Sequence, residues 1–424
     1  MDTLLLARLQ FATTTSIHFL FVLLTLGLVT QVAIMQTRWA ITGREVHGRM
    51  ARFWGQLYAI NYALGIATGI VVEFQFGLSW SGLSRVTGNV LGTPLALETL
   101  IAFFLESTFL GLWLFGWNRL NKWVHLGAIW GVTLTAYASM FWVLAANSWM
   151  QHPVGYELRD GQAYLTDFSA LLTNPNLPLT LLHVFTAAMA AGGFFLAGVS
   201  ALHFLRRTPE RDFFRRSLRI GLLTAASMLF LGTASGGMKF GHLRETQPSK
   251  IAKGEEAARI QAEMTAQYGP GDYLPPSWIE IPQTIMLGIG GVLFLFSLAL
   301  LPLLFRDWLV RLRLPLYLLV AAVPLPFVAA IGGWLFREVG RQPWVVYGVL
   351  PTSDAVSDVP PGVALASFVG FTTVLTALAV TNWVLIARAA RRGPGQEGWA
   401  ATPAQEPAAP AQEPAAPAPV PSTL

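Results

Sequence analysis

The chain has 424 residues, 54% hydrophobic and 12% charged, with no cysteine and a formal net charge of +5. A soluble domain carries charge on roughly a quarter of its residues, so the composition argues against a water-soluble fold. Without cysteine there are no disulfides, thiolate-bound zinc, iron–sulfur clusters or thioether-linked cofactors, and a metal has to be held by His, Met, Asp or Glu.

Apolar residues fall in blocks of roughly 20 to 28, long enough to cross a bilayer core of about 30 Å as helix. The first, near 10–37, carries His18; it is too long for a cleaved signal, and Asp2 with the single early Arg8 makes no basic leader. The second, 51–78, holds Glu73 near its end. The third, 94–118, holds Glu98 and Glu106, which in a regular helix lie about 80° apart in projection and about 12 Å apart in rise. The fourth spans 124–149, and the fifth, 178–205, has His183 in its first turns. The sixth, 213–238, leads into a polar, Gly/Pro-punctuated segment, 239–279, with a helix-like stretch from Lys250 to Tyr268; a loop of that length in a compact protein is usually functional. The seventh, 280–304, has Met286 near its start; the eighth, 314–336, is followed by Glu338 and Gly340-Arg341-Gln342-Pro343-Trp344; the ninth is 362–387. The chain thus divides into 1–238, the segment 239–279, 280–388 and a Pro/Ala-rich tail, 389–424, expected to be an extended, disordered extension without a catalytic role.

The expected fold is all-α, a polytopic membrane protein of nine spans. Alternate loops divide the 28 Lys and Arg unevenly, 18 on one side; that side is cytoplasmic by the positive-inside rule, which puts the N-terminus outside and the C-terminus inside. This clustering in particular loops favours membrane topology over nucleic acid as the meaning of the net charge.

Glu73, Glu98, Glu106, His18 and His183 all fall within spans, where a charge costs at least a few kcal/mol. No Lys or Arg is expected in the middle of any helix, which leaves neutral or hydrated carboxyls and favours proton handling. For Glu98 and Glu106, two stations of one proton path and two ordinary polar contacts carry equal weight; Glu73 reads as an interfacial contact. A His/Met pair such as His183 and Met286 can be the axial set of a low-spin haem, but Met is core filler by default and a lone membrane His usually bonds a neighbouring helix. Arg341 beside Trp344 could clamp a carboxylate; on residue type alone an interfacial aromatic anchor is favoured.

Taken together, several motifs resemble subunit I of the cytochrome bd quinol oxidases in order and spacing: Arg8-Leu9-Gln10-Phe11-Ala12 with His18-Phe19-Leu20-Phe21, Glu73-Phe74-Gln75-Phe76-Gly77, Phe103-Phe104-Leu105-Glu106-Ser107-Thr108, Asn147-Ser148-Trp149-Met150-Gln151 and Gly340-Arg341-Gln342-Pro343-Trp344. The resemblance covers everything but the tail. It implies that His183 and Met286 are axial ligands of a low-spin haem b558, and that His18 and Glu338 are ligands of two high-spin haems, b595 and d, in an allocation left open, with a further b-type haem in place of d as the alternative. It also implies that Glu98 and Glu106 lie near the dioxygen site and on a proton route from the cytoplasm, that Arg341 and Trp344 belong to a cluster near the haems, and that Lys250 and Glu255 serve the quinol. Thr284 stands where many members carry Arg, which implies a lower low-spin potential. The implied activity is four-electron reduction of O2 to water by quinol at the outer face, building proton motive force without a pump, in the bacterial cytoplasmic membrane. The implied partners are a second multi-pass subunit, membrane quinol and O2, with room for small single-helix subunits and no role for nucleic acid. The rival reading is a proton-coupled transporter or channel built on buried Glu and His.

Overall fold

The computed structural model describes residues 2–395; most of the Pro/Ala-rich tail, from 396, lies outside the described residues. Among them, nine helices are long and apolar enough to cross a membrane: α1 (Thr3–Thr42), α2 (Glu45–Leu78), α3 (Ser81–Gly116), α4 (Lys122–Gln151), α5 (Asn176–Leu205, preceded by the short helix Phe168–Leu172), α6 (Arg211–Thr246), α7 (Glu280–Leu300), α8 (Arg313–Val339) and α9 (Pro361–Arg392). The expected all-α polytopic class is what the chain adopts. α1 is the hub and touches α2, α4, α5, α8 and α9, while α6 lies between α5 and α7, and α7 against α8.

Alternation of the spans defines two faces. The start of α1 and the connections after α2, α4, α6 and α8 share one, here the loop face: Thr3 Oγ1 donates to Val359 O (3.4 Å) and Ser357 N to Ser79 O (3.1 Å). On the opposite face Arg206 Nη1 donates to Arg391 O (3.1 Å).

Several elements depart from the hydropathy pattern. α3 begins at Ser81 rather than near 94, because its first turns pack on a hairpin, β1 (Tyr156–Arg159) with β2 (Gln162–Leu165), instead of on lipid. Asp160 and Gly161, both at positive φ, supply the tight turn that twisted antiparallel strands require. Within α3, Pro94 withholds a backbone N–H and the next turn opens into a π-helix, Glu98–Phe103. The regular-helix offset between Glu98 and Glu106 is therefore not realised. α6 runs on through Thr246, carrying Lys239 inside a helix, and the helical stretch of the polar segment is Gly254–Tyr268 rather than beginning at Lys250, which sits in the 3-10 turn Pro248–Lys250. α8 is interrupted at Val323 and Pro324. A second small hairpin, β3 (Trp344–Val346) with β4 (Leu350–Pro351), follows it.

The α5–α6 contact is set by backbone approach. A Cβ on Gly193 would stand 2.6 Å from Gly221 O, and one on Gly221 would stand 2.5 Å from Gly193 O; small residues permit this because membrane helices associate through close van der Waals packing. Gly193→Val should cost about 1–3 kcal/mol through overpacking, seen as a lower thermal midpoint in detergent; an unchanged midpoint would show that the seam has slack.

Candidate functional site

On the loop face, the ends of α4, α6 and α8 and the start of α5 meet around one carboxylate. Glu338, 6% exposed, accepts from Asn147 Nδ2 (2.9 Å) and Gln151 Nε2 (3.4 Å) through Oε1, and from Arg341 Nη2 (2.7 Å) through Oε2. Arg337 Nε lies 3.9 Å from Oε1 and donates to Asn147 Oδ1 (2.7 Å), so Asn147 bridges the two neighbours. Arg337 Nη1 and Lys239 Nζ share Thr180 Oγ1, at 3.2 and 3.1 Å. Lys250 Nζ donates to Arg337 O (2.8 Å) and Gln151 Oε1 (3.3 Å), placing a cation at the negative end of α8. Gly340 makes room for it: a Cβ there would stand 2.7 Å from Lys250 Cε.

The charges do not balance. Lys239, Lys250, Arg337 and Arg341 surround the single carboxylate of Glu338. Among the described residues, Arg341 Nε and Nη1, Arg337 Nη2 and Trp344 Nε1 are buried without an acceptor. Burial, with Arg337 and Arg341 nearby, pushes the Lys250 ammonium well below the usual lysine range, Glu338 pulling the other way. Unpaired buried charge is costly, and guanidinium donors of this kind can take further anionic oxygen, carboxylates in matched geometry.

Two imidazoles share a second design. Thr68 Oγ1 donates to Gly65 O (2.7 Å), so its lone pair accepts from His18 Nδ1 (2.9 Å). Ser235 Oγ donates to Gly232 O (3.1 Å) and by the same logic accepts from His183 Nδ1 (3.3 Å). Each hydroxyl has one proton, already committed, so each ring carries its own proton on Nδ1 and presents an unprotonated Nε2. That is how a protein orients a metal-binding histidine. Glycines stand beside these rings and beside Met286: a Cβ on Gly69 would lie 3.2 Å from His18 Cε1, one on Gly236 3.3 Å from His183 Cε1, and one on Gly333 2.7 Å from Met286 Sδ. No group of three or more His, Cys, Asp or Glu among the described residues could hold a bare metal ion. The single imidazoles suit a metal whose equatorial positions are filled by something other than protein.

Glu98 lies in the π-turn of α3, accepting from Ser139 Oγ (2.7 Å) and Thr99 Oγ1 (3.1 Å); Thr99 also reaches Glu73 Oε1 (3.4 Å). Glu106, 6% exposed, has Oε1 buried without a hydrogen-bond partner among the described residues and interacts electrostatically with Tyr58, Tyr62 and Glu98.

Of the residues singled out in the sequence, Glu338, Arg341 and Lys250 come together in one cluster. Trp344 is 4% exposed beneath the helix Gly254–Tyr268, its ring centroid 4.9 Å from that of Tyr268 and 5.8 Å from that of Tyr273. This overturns the aromatic-anchor expectation for Arg341 and Trp344, because residues covered by protein cannot sit at a lipid interface. Glu255 is exposed in the first turn of that helix, and among the described residues Lys250 bonds Arg337 and Gln151 rather than Glu255. Lys239, Arg337, Thr180, Thr68 and Ser235 escaped sequence reasoning, and Asn147 and Gln151 entered it only as the two ends of a motif, with no role assigned. Arg337 beside Glu338 was a usable signal, since an Arg-Glu pair closing an apolar run has to find partners; the hydroxyls gave none.

Glu338→Gln, which removes the only carboxylate among four cations, should destabilise by about 3–5 kcal/mol, whereas Glu338→Leu with Arg341→Leu should lose less. Thermal midpoints of the two variants check this; equal losses would mean that the carboxylate does not neutralise Arg341.

The family model for cytochrome bd terminal oxidase subunit I matches residues 6–269 and 269–394. The chain is 39% identical to cytochrome bd ubiquinol oxidase subunit 1 of Bacillus subtilis (strain 168), over 93% of this chain and 94% of that protein. It is 31% identical to cytochrome bd-II ubiquinol oxidase subunit 1 of Escherichia coli (strain K12), over 93% and 97%. Its fold matches the solved bd oxidase from Geobacillus thermodenitrificans with a TM-score of 0.83 at 25% identity, over 93% of this chain and 99% of that one. Half-buried imidazoles, a cationic cluster with spare donors and nine spans among the described residues thus coincide with a match along almost the whole chain, which belongs to the cytochrome bd terminal oxidase subunit I family.

Proposed function

We propose that this chain is the haem-bearing subunit that oxidises quinol near the loop face, taken as extracytoplasmic, and reduces O2 to water with protons drawn from the cytoplasm. The observation that carries the reading is the pair of imidazoles whose Nδ1 protons are held by committed hydroxyls, leaving Nε2 free, with His183 on α5, which through Thr180 also joins the cationic cluster with its unpaired guanidinium donors. Haem fits both: His18 and His183 would each suffice as a protein ligand to it, and Arg341 and Arg337 would hold its propionates. Membership of an oxidase family sets aside the transporter reading.

In this reading His183 and Met286 hold a low-spin haem b558, and His18 and Glu338 hold haem b595 and haem d, or a second b-type haem in place of d. Bound haem supplies the electron path from quinol and the iron at which O2 is reduced. The protein supplies the rest. Ser235 and Thr68 fix the imidazole tautomers, and Arg341, with Trp344 packed beneath the loop helix, holds the anionic edge of a cofactor. Lys250 and Glu255 serve the quinol: the Lys250 ammonium can hold a quinol oxygen, and Glu255, exposed in the first turn of the loop helix, can take up a proton that quinol releases. Glu106 receives protons from the opposite face and passes them toward Glu98, which Ser139 and Thr99 keep oriented. Moving each proton toward the outside against the membrane potential costs about 2.3 kcal/mol per 100 mV, so charge separation follows without a pump. The subunit numbering in the relatives' names supports a partner, subunit II, and the family a bacterial cytoplasmic membrane.

The test is the reduced-minus-oxidised visible spectrum of membranes carrying variants. His183→Ala and Met286→Ala should each abolish the low-spin b band while the chain still inserts; a normal band in either removes that residue as a ligand. Ser235→Ala should weaken haem retention about 10- to 100-fold, the usual effect of losing a ligand's hydrogen-bond partner. Glu106→Gln should slow O2 consumption about tenfold or more with haem content retained; unchanged turnover takes it off the proton route.

A further inference from the structure

Where the α5–α6 and α7–α8 connections meet, on the face opposite the loop face, lies a cavity of about 320 Å³ lined by Arg207, Arg211, Arg311 and Arg313, with Phe204 and Leu316 among its apolar walls. Acids are close by, but each is already engaged elsewhere. Glu210 pairs with Arg49 (2.7 Å), Asp212 with Arg215 and Arg216 (both 2.8 Å), and Asp307 with Arg215 (3.0 Å) and Arg219 (2.9 Å). The four lining arginines have no ion pair among the described residues. Arg211 and Arg313 also open α6 and α8, whose N-terminal dipoles add positive potential to the same space.

The surroundings identify the source of the anion. Trp308 (51% exposed), Leu314 (69%) and Tyr317 (58%), each within two positions of a lining residue in the chain, are exposed, the composition of a membrane–water boundary. A soluble phosphate would satisfy the charges and leave this apolar surround unused. An anionic phospholipid uses both, its phosphodiester among the guanidinium groups and its chains along the exposed apolar surface. We propose that this cavity is a binding site for the headgroup of an anionic phospholipid of the surrounding leaflet. The assignment does not depend on the haem reading; it rests on the unpaired arginines, the cavity and the exposed rim.

The purified oxidase complex is titrated with phosphatidylglycerol and, separately, with phosphatidylcholine, and bound lipid is counted by native mass spectrometry. The unaltered complex should prefer phosphatidylglycerol by at least about tenfold, as several basic groups near a surface would give. The variant carrying Arg207→Gln, Arg311→Gln and Arg313→Gln should lose that preference. Its counterpart with Lys at the same three positions should keep most of it, which separates lost charge from a disturbed loop. Equal retention by the unaltered and Gln complexes overturns the proposal. So does displacement of the lipid by millimolar inorganic phosphate, which would make this a site for free anions. Binding that appears only after the chain is cut behind Gly395 would give the cavity to the Glu397, Glu406 and Glu413 side chains and overturn it too.

Discussion

The constraint on which the loop face depends is a charge imbalance inside protein. Four cations converge on one carboxylate where water is largely excluded, and several of their N–H groups have no acceptor. Taking such groups out of water costs several kcal/mol each unless they are paired. The local architecture serves that cluster: α6 continues through Thr246 because Lys239 finds Thr180, α8 ends under Lys250, and the 3-10 turn Pro248–Lys250 is tied to α4 by Gln247 Nε2 on Gln151 Oε1 (3.0 Å). On the proposed reading an anionic cofactor edge takes the spare donors of this cluster.

The histidines are prepared in a complementary way. Hydroxyls at Thr68 and Ser235 spend their only proton on a carbonyl three residues earlier, which turns the oxygen into a fixed acceptor and sets the ring tautomer. Neighbouring glycines keep side chains off the rings. The Glu98–Ser139–Thr99–Glu73 contacts gather at the π-turn of α3, the kind of local irregularity that collects at functional positions. On the proposed reading the proton-handling contacts at the π-turn stand apart from the cationic cluster, whereas Glu338 belongs both to that cluster and to the ligand set.

The nine spans were legible in the sequence because apolar runs of bilayer length have no other common explanation. Their ends were less legible. α3 starts early because its first turns rest on a hairpin whose Asp160-Gly161 signal is local and short, and α6 ends late because Lys239 is satisfied by a residue 59 positions away in the chain. Trp344 reads as an interfacial anchor until Tyr268 and Tyr273 are seen to cover it. For the site, residue types alone left His18, His183 and Met286 open between ligand and packing roles; the resemblance in motif order singled them out. What neither composition nor motif conveyed was the role of the second layer, Thr68, Ser235 and Thr180, since a hydroxyl in a helix has no distinctive spacing; Asn147 stood in a motif that gave it no partner.

The central claim is that the spare guanidinium donors of Arg341 and Arg337 are completed by the carboxylates of a bound haem. A map of the intact complex purified with its pigments tests this most directly. Haem carboxylate oxygens within hydrogen-bond distance of Arg341 Nη1 or Nε, with iron at Nε2 of His18 and of His183, would bear the account out. Those donors engaged only by protein or water, with Nε2 of both histidines bonded to neighbouring side chains, would contradict it.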